Sequence, residues 1–262
     1  MTTEAILLIG RRTSRSRAPF ERHADRLARR NVVDEVHTAT YDSEPVRELR
    51  DQLAVITADR VYAVPMYAAH TFDTLNDLPA ALSHVPGEVH YCEPLGHSPA
   101  VTDVLTSRAT DLVPADDDAS LVLVSFGSSS KPYHRQATEY HAARIREQSD
   151  YGEVVPCYLL QNPTVECVRY NVSNGRAVAV PLFLTRNEAT EEQIPAKLEL
   201  DRGGIEYADP LGDHARVTDA IHAEFEKKRV LARGDDAPAA SFESELTRNQ
   251  HSVATDGEGV PR

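Results

Sequence analysis

The chain repeats itself. The segment VPMYAAHTFDTLNDLPAAL opens at Val64 and VPLFLTRNEATEEQIPAKL opens at Val180, with no residue inserted or lost between them. Pro65 and Pro181, Pro79 and Pro195, and the turns Pro94-Leu95-Gly96 and Pro210-Leu211-Gly212 all share an offset of 116 residues. Landmarks that keep one offset over such a stretch mark a duplicated unit. Upstream the register drifts slightly. Glu44-Pro45-Val46 answers Asn162-Pro163-Thr164, and the apolar openings ILLIG and LVLVS differ in offset by about one residue. A length of 262 residues allows one large or two modest domains, and the duplication favours two.

Each copy alternates strand-like and helix-like segments, the pattern of a parallel sheet covered by helices. In the first copy the strands are read at Ala5 to Ile9, Val32 to Thr40, Val61 to Tyr67 and Glu88 to Cys92. Between them Phe20, Ala24 and Leu27, and then Val46, Leu49, Leu53 and Ile56, recur at spacings of three and four and predict one buried face per helix. The second copy places strands near Leu121 to Val124, Val154 to Leu160, Ala177 to Leu184 and Gly204 to Tyr207, and its closing helix carries Val217, Ile221 and Phe225 on one face. The expected fold is therefore α/β, a tandem repeat of two doubly wound parallel-sheet domains at 1–113 and 120–232. Pro114 to Ala119, rich in aspartate, is the expected linker. Residues 233–262 carry scarcely a large apolar side chain and read as a polar, disordered tail.

Composition narrows the partners. The formal charge of −13 repels nucleic acid and anionic membranes, since the basic clusters are short. No apolar run approaches the roughly 18 residues of a spanning helix. MTTEAILLIGRR lacks the basic start and cleavage site of a signal peptide, so the expected location is cytoplasmic. Cys92, Cys157 and Cys167 form no metal-binding or disulfide spacing and are expected to be small buried hydrophobes.

A VPLFL-type strand, a helix start of the D-L-P or Q-I-P kind and a following P-L-G turn, present twice in tandem, resemble the sirohydrochlorin cobaltochelatase/ferrochelatase family over about 230 residues, all but the tail. The resemblance implies two chelatase-like domains facing each other across a cleft. There a divalent ion, cobalt or iron with nickel as a further option, enters a tetrapyrrole such as sirohydrochlorin on the way to cobalamin or siroheme. The metal is then a substrate, and no organic cofactor is implied. Two modules in one chain can enclose such a cleft as a monomer or a homodimer.

The reaction removes protons from ring nitrogens and strips water from the ion, so imidazole or carboxylate groups must converge on the ring centre. The family's G-H-G-S after the first strand is replaced here by Gly10-Arg11-Arg12-Thr13 and by Ser125-Phe126-Gly127-Ser128. The family's second histidine position holds Asp73 in one copy and Ala189 in the other. What stands nearby is His70, with Asp73 and Asp77, and in the second copy Asn187, Glu188, Glu191 and Glu192. His70, Asp73 and Glu188 are the candidate catalytic residues, and His70, Asp73, Glu188 and Glu191 the candidate metal set. The same acidic residues in a first helical turn are also accounted for by the helix dipole and N-cap. Arg11 and Arg12, with Arg15, are candidates to grip substrate carboxylates, or are solvated charge. Ser128 is a candidate anion contact at a helix start, or a cap. His134 and His141, two turns apart on the helix after the fifth strand, read as surface histidines. His97 and His214, after the P-L-G turns, line the cleft or cap helices. A catalytically silent, tetrapyrrole-binding or regulatory paralogue is the alternative to an active chelatase, since a fold alone does not dictate chemistry.

Overall fold

A computed structural model describes residues 2–13 and 16–235. Eight strands form two four-stranded sheets, all parallel. The first contains β1 (Glu4–Arg11), β2 (Glu35–Tyr41), β3 (Arg60–Pro65) and β4 (Glu88–Tyr91) in the order β2-β1-β3-β4. The second, β5 (Ala119–Ser125), β6 (Glu153–Tyr158), β7 (Arg176–Pro181) and β8 (Ile205–Tyr207), has the order β6-β5-β7-β8. The duplication in the sequence is thus a duplication of topology. Six consecutive residues of β1 and all of β5 are buried, as strands covered on both faces must be.

One core is common to both halves. Ile6, Leu8, Tyr62 and Val64 from the first sheet and Leu121, Leu123, Val178 and Val180 from the second share it. The helices between are α1 (Arg17–Arg30), α5 (Pro99–Thr110), α6 (Tyr133–Gln148) and α9 (Ala215–Asp235). Shorter helices cover the outer faces. α2 (Pro45–Glu48), α3 (Arg50–Ala54) and α4 (Leu78–Ala81), with Leu49 between the first two, pack Leu49, Leu53 and Leu78 onto Leu7, Ile9 and Val61. α7 (Val168–Asn171) and α8 (Ile194–Lys197) do the same with Val168 and Ile194 against Val122 and Val124.

The closing helices are exchanged. α5 ends the first half but packs against β7 and α6, while α9 ends the second half and packs against β3 and β4. Val217, Ile221 and Phe225 do share a fully buried face, and that face covers the other half's sheet. Phe225 meets Tyr62 edge-on with ring centroids 5.0 Å apart, and Arg229 reaches Glu4 at 3.0 Å.

Several expectations change. The single helix read over Val46 to Ile56 is two short ones. Glu48 turns back to accept the amides of Asp42, Ser43 and Glu44 at 2.8 to 2.9 Å, and Val46 is exposed. Cys92 and Cys157 are buried, but Cys167 is exposed at the end of a short turn. His141 is buried rather than on the surface, because α6 lies between the sheets; its Nδ1 sits 2.8 Å from Thr102 Oγ1 on α5. Of the expected tail, residues 236–262 lie outside the described residues, as does Arg15.

Candidate active site

In a parallel sheet of order 2-1-3-4 the chain leaves the first strand in opposite directions on its two sides, and the crevice at that switch point opens at the strands' carboxyl ends. Both sheets turn this edge toward one cleft of about 660 Å³. Arg11 ends β1 and Arg12 and Thr13 follow it, Met66 to Ala69 follow β3, Phe126 follows β5, and Leu182 to Thr185 follow β7. Thr13 donates its hydroxyl hydrogen to the Arg186 carbonyl at 3.1 Å and ties the halves at the rim.

The duplication extends into the site. Each half follows its third strand with a π-helical turn, Asp73–Asp77 and Ala189–Gln193, again 116 residues apart. Such turns often mark functional positions. Each is fixed by equivalent side chains. The amides of Thr71 and Asn187 donate to the hydroxyls of Thr74 and Thr190 at 2.8 and 2.9 Å. The phenols of Tyr91 and Tyr207 donate to the carbonyls of the same two threonines at 2.9 and 2.8 Å.

What the halves present differs. The first half supplies the charged groups, Arg11, Arg12 and Asp73, with Tyr67, beside the apolar Phe20, Met66 and Phe72. Arg11 Nε donates to the Asp42 carbonyl at 2.9 Å and Arg12 to the Thr40 carbonyl at 3.3 Å, which anchors each guanidinium while leaving further N–H groups exposed. Tyr41 donates to the Asp73 carboxylate at 2.6 Å, so its short contact with Tyr67 must have the Tyr67 hydroxyl as donor. Burial pushes the Tyr67 phenol up to about 12 and raises that of Tyr41, which keeps both neutral. The second half supplies Phe126, Leu182, Phe183 and Leu184 together with the polar His134, Asn187 and Glu188. Phe72 and Phe126, one from each half, line the cleft and are 70% and 38% exposed.

His70 does not line this cleft. Its Nε2 lies 2.7 Å from Glu93 Oε2, its Nδ1 lies 3.2 Å from Thr74 Oγ1, and its ring meets Tyr133 of α6 edge-on at 5.3 Å. Asp73 and Glu188 both line it, Glu188 accepting from Gln193 Nε2 at 2.9 Å. Asp77 and Glu191 are not among the lining residues. Among the described residues no three His, Cys, Asp or Glu side chains are grouped to hold an ion, so the set His70, Asp73, Glu188 and Glu191 is not assembled. Ser128 lies outside the lining and accepts the Ser130 and Lys131 amides at 3.3 and 3.2 Å, as a cap does. His97 is exposed against Tyr140, and His214 accepts the Arg216 amide at 3.2 Å, which also makes it a cap.

His134, expected on the surface, instead lines the cleft from the first turn of α6, and Tyr67 and Leu182–Leu184, not expected as site residues, line it too, with Tyr41 behind Tyr67. The wall residues were within reach, because both Met66-Tyr67-Ala68 and Leu182-Phe183-Leu184 directly follow the repeated Val-Pro.

A chain with this duplicated architecture has relatives. A protein of Halobacterium salinarum described as a probable sirohydrochlorin cobaltochelatase is 28% identical over 207 residues, covering 69% of this chain and 70% of the relative. SirB from Bacillus subtilis, solved with Fe3+, is similar in fold with a TM-score of 0.71 at 19% identity, over 89% of this chain and 98% of that one. A multi-domain protein of Deinococcus radiodurans with structural similarity to chelatases gives a TM-score of 0.69 at 23% identity over 86% of this chain, which spans 55% of that protein's length. The CbiX family model matches residues 5–112 and again 120–228, one match for each sheet described above, and the chain therefore belongs to the CbiX family.

Proposed function

We propose that this protein inserts a divalent metal ion, cobalt or iron, into a tetrapyrrole of the sirohydrochlorin type held in the cleft between its halves. The observation that carries the reading is the cleft's mixed lining: two anchored guanidiniums and the Asp73 carboxylate stand beside apolar surface from both halves, with Phe72 and Phe126 exposed. A flat macrocycle with carboxylates on its periphery needs both. Its face covers Phe126 and Phe72, which otherwise lie exposed to water, and its carboxylates meet Arg11 and Arg12 as forked, charge-assisted pairs.

Asp73 and Glu188 then supply oxygen to the incoming ion and accept protons. Two carboxylates leave an ion's coordination incomplete, and the macrocycle nitrogens complete it. His70 acts as a positioning residue, clasping the π-helical turn that carries Asp73 through Thr74. Ser128 shapes the loop that presents Phe126. The ring is handled in the cytoplasm, and a monomer suffices, since both walls come from one chain.

A second reading, a silent paralogue that binds the macrocycle without metallating it, is favoured by one observation, the engagement of both His70 nitrogens away from the cleft. Mixing the purified protein with metal-free sirohydrochlorin and Co(II) or Fe(II), and following the macrocycle's absorption, separates the two. Acceleration over the protein-free rate supports the chelatase. Binding without acceleration supports the paralogue.

A further inference from the structure

We propose that His134 is the proton acceptor at the ring centre, an inference that rests on the chelatase reading and assigns its base to the second half of the chain. The argument begins with the groups the cleft offers. Arg11 and Arg12 are permanent cations and accept nothing. The Tyr67 phenol is neutral and already donates to Tyr41. Asp73 and Glu188 each already accept one hydrogen bond, from Tyr41 and Gln193, and their remaining lone pairs serve the ion and the second proton. His134 differs from all of these: it is the one imidazole among the lining residues, and no hydrogen bond occupies its ring among the described residues.

Its surroundings fit the task. His134 sits in the first turn of α6, whose backbone is fixed there by Thr138, which donates to the His134 carbonyl at 2.7 Å and bonds Ser125 at the end of β5 at 2.8 Å. The ring lies 6.2 Å from that of Phe126, so it borders the apolar surface on which the macrocycle rests. Half-burial lowers its pKa below the ordinary value, so the imidazole enters the reaction unprotonated. An unprotonated, unengaged imidazole beside the seat of a flat ring is a ready general base.

The step balances. As a ring nitrogen bonds the divalent ion, its proton passes to the free lone pair of His134, and the imidazolium then loses that proton to water. The second ring N–H proton goes to a cleft carboxylate, Asp73 or Glu188, so two protons leave for each ion gained.

The test compares initial rates of Co(II) insertion into sirohydrochlorin for wild type, His134→Ala, His134→Asn and His70→Ala. Each is measured with and without added imidazole and scaled to wild type at the same imidazole concentration. Both His134 variants are expected to lose about 100-fold or more, as removal of a general base does, with imidazole restoring His134→Ala by at least about fivefold and leaving His70→Ala unchanged. Matching thermal midpoints show that the His134 variants are folded. A wild-type protein that does not accelerate insertion overturns the chelatase reading itself. An active wild type with His134 variants within about threefold of it, or with a loss that imidazole leaves untouched, overturns the role of His134 alone.

Discussion

Single residues in this protein owe their chemistry to which half they face. Arg11 ends a buried strand and Arg12 follows it, and each spends one donor on a backbone carbonyl at or just past the end of β2, so the remaining donors are held in place. Removing one partner of a charge-assisted hydrogen bond typically costs about 1.5 to 3 kcal/mol, so Arg11→Ala and Arg12→Ala should each raise KM for sirohydrochlorin by roughly 10- to 100-fold with kcat little changed. An unchanged KM in steady-state assays would remove both from substrate binding. His23 shows the reverse case, a histidine held neutral. It is 1% exposed, with Nε2 3.0 Å from the Gly212 carbonyl and Nδ1 2.9 Å from Thr218 Oγ1, so Nε2 carries the hydrogen and Nδ1 accepts. Burial lowers its pKa to about 4, opposed by the bond to Gly212. Unfolded histidine titrates near 6.5, so the unfolded chain takes up the proton first as pH falls. The stability is fully present above about pH 6.5 and is lost as pH drops through about 4, a loss of order 2 to 3 kcal/mol by pH 4.5. His141, lowered to about 3 by burial, acts in the same direction. Urea midpoints measured from pH 7 to 4.5 should fall less steeply in His23→Gln than in wild type, and parallel slopes would contradict this.

At the scale of elements, the repeated P-L-G turns show how one sequence landmark serves two physical needs. A Cβ on Gly96 would stand 1.6 Å from the Ala68 carbonyl oxygen, so this glycine permits close approach of two backbones. A Cβ on Gly212 would meet nothing closer than the Pro210 carbonyl oxygen at 3.7 Å, an ordinary contact, but its φ is +59°, so this glycine permits a left-handed turn. Gly96→Ala should therefore cost at least about 2 kcal/mol by overpacking and Gly212→Ala about 1 kcal/mol by backbone strain, measured by urea denaturation. Equal costs would contradict the distinction. The strands were legible because an apolar run covered on both faces has few alternatives, and Ala5 to Ile9 and Leu121 to Val124 fall inside β1 and β5. The side of a helix was less legible. Periodicity put Val217, Ile221 and Phe225 on a buried face but carries no information about which sheet buries it, and that turned out to be the other half's. His70 and His134 illustrate the same limit at the site. The orientation of His70 is set by Glu93, 23 residues later and brought near only by the sheet, and His134 becomes a cleft residue only because α6 is inserted between two sheets. Asp73, Arg11 and Arg12 were legible as cleft residues because strand ends in this fold class point there.

At the scale of the molecule, exchanging α5 and α9 makes one folding unit out of two similar halves. Phe225, fully buried against Tyr62 across the exchange, should cost about 3 to 5 kcal/mol as Phe225→Ala. Residues 1–113 expressed alone leave β3 and β4 without the helix that covers them, and should show no cooperative unfolding transition by circular dichroism, whereas the whole chain should show one. A stable isolated half would contradict that dependence. The same exchange holds the cleft walls in fixed relation, since each wall's sheet is packed by a helix from the other half. A structure of the protein crystallised with metal-free sirohydrochlorin tests the account most directly. The macrocycle should lie between the two halves, its face on Phe126 and Leu182 and its carboxylates on Arg11 and Arg12. A macrocycle bound anywhere outside this cleft, or a cleft that stays empty at saturating ligand, would contradict it.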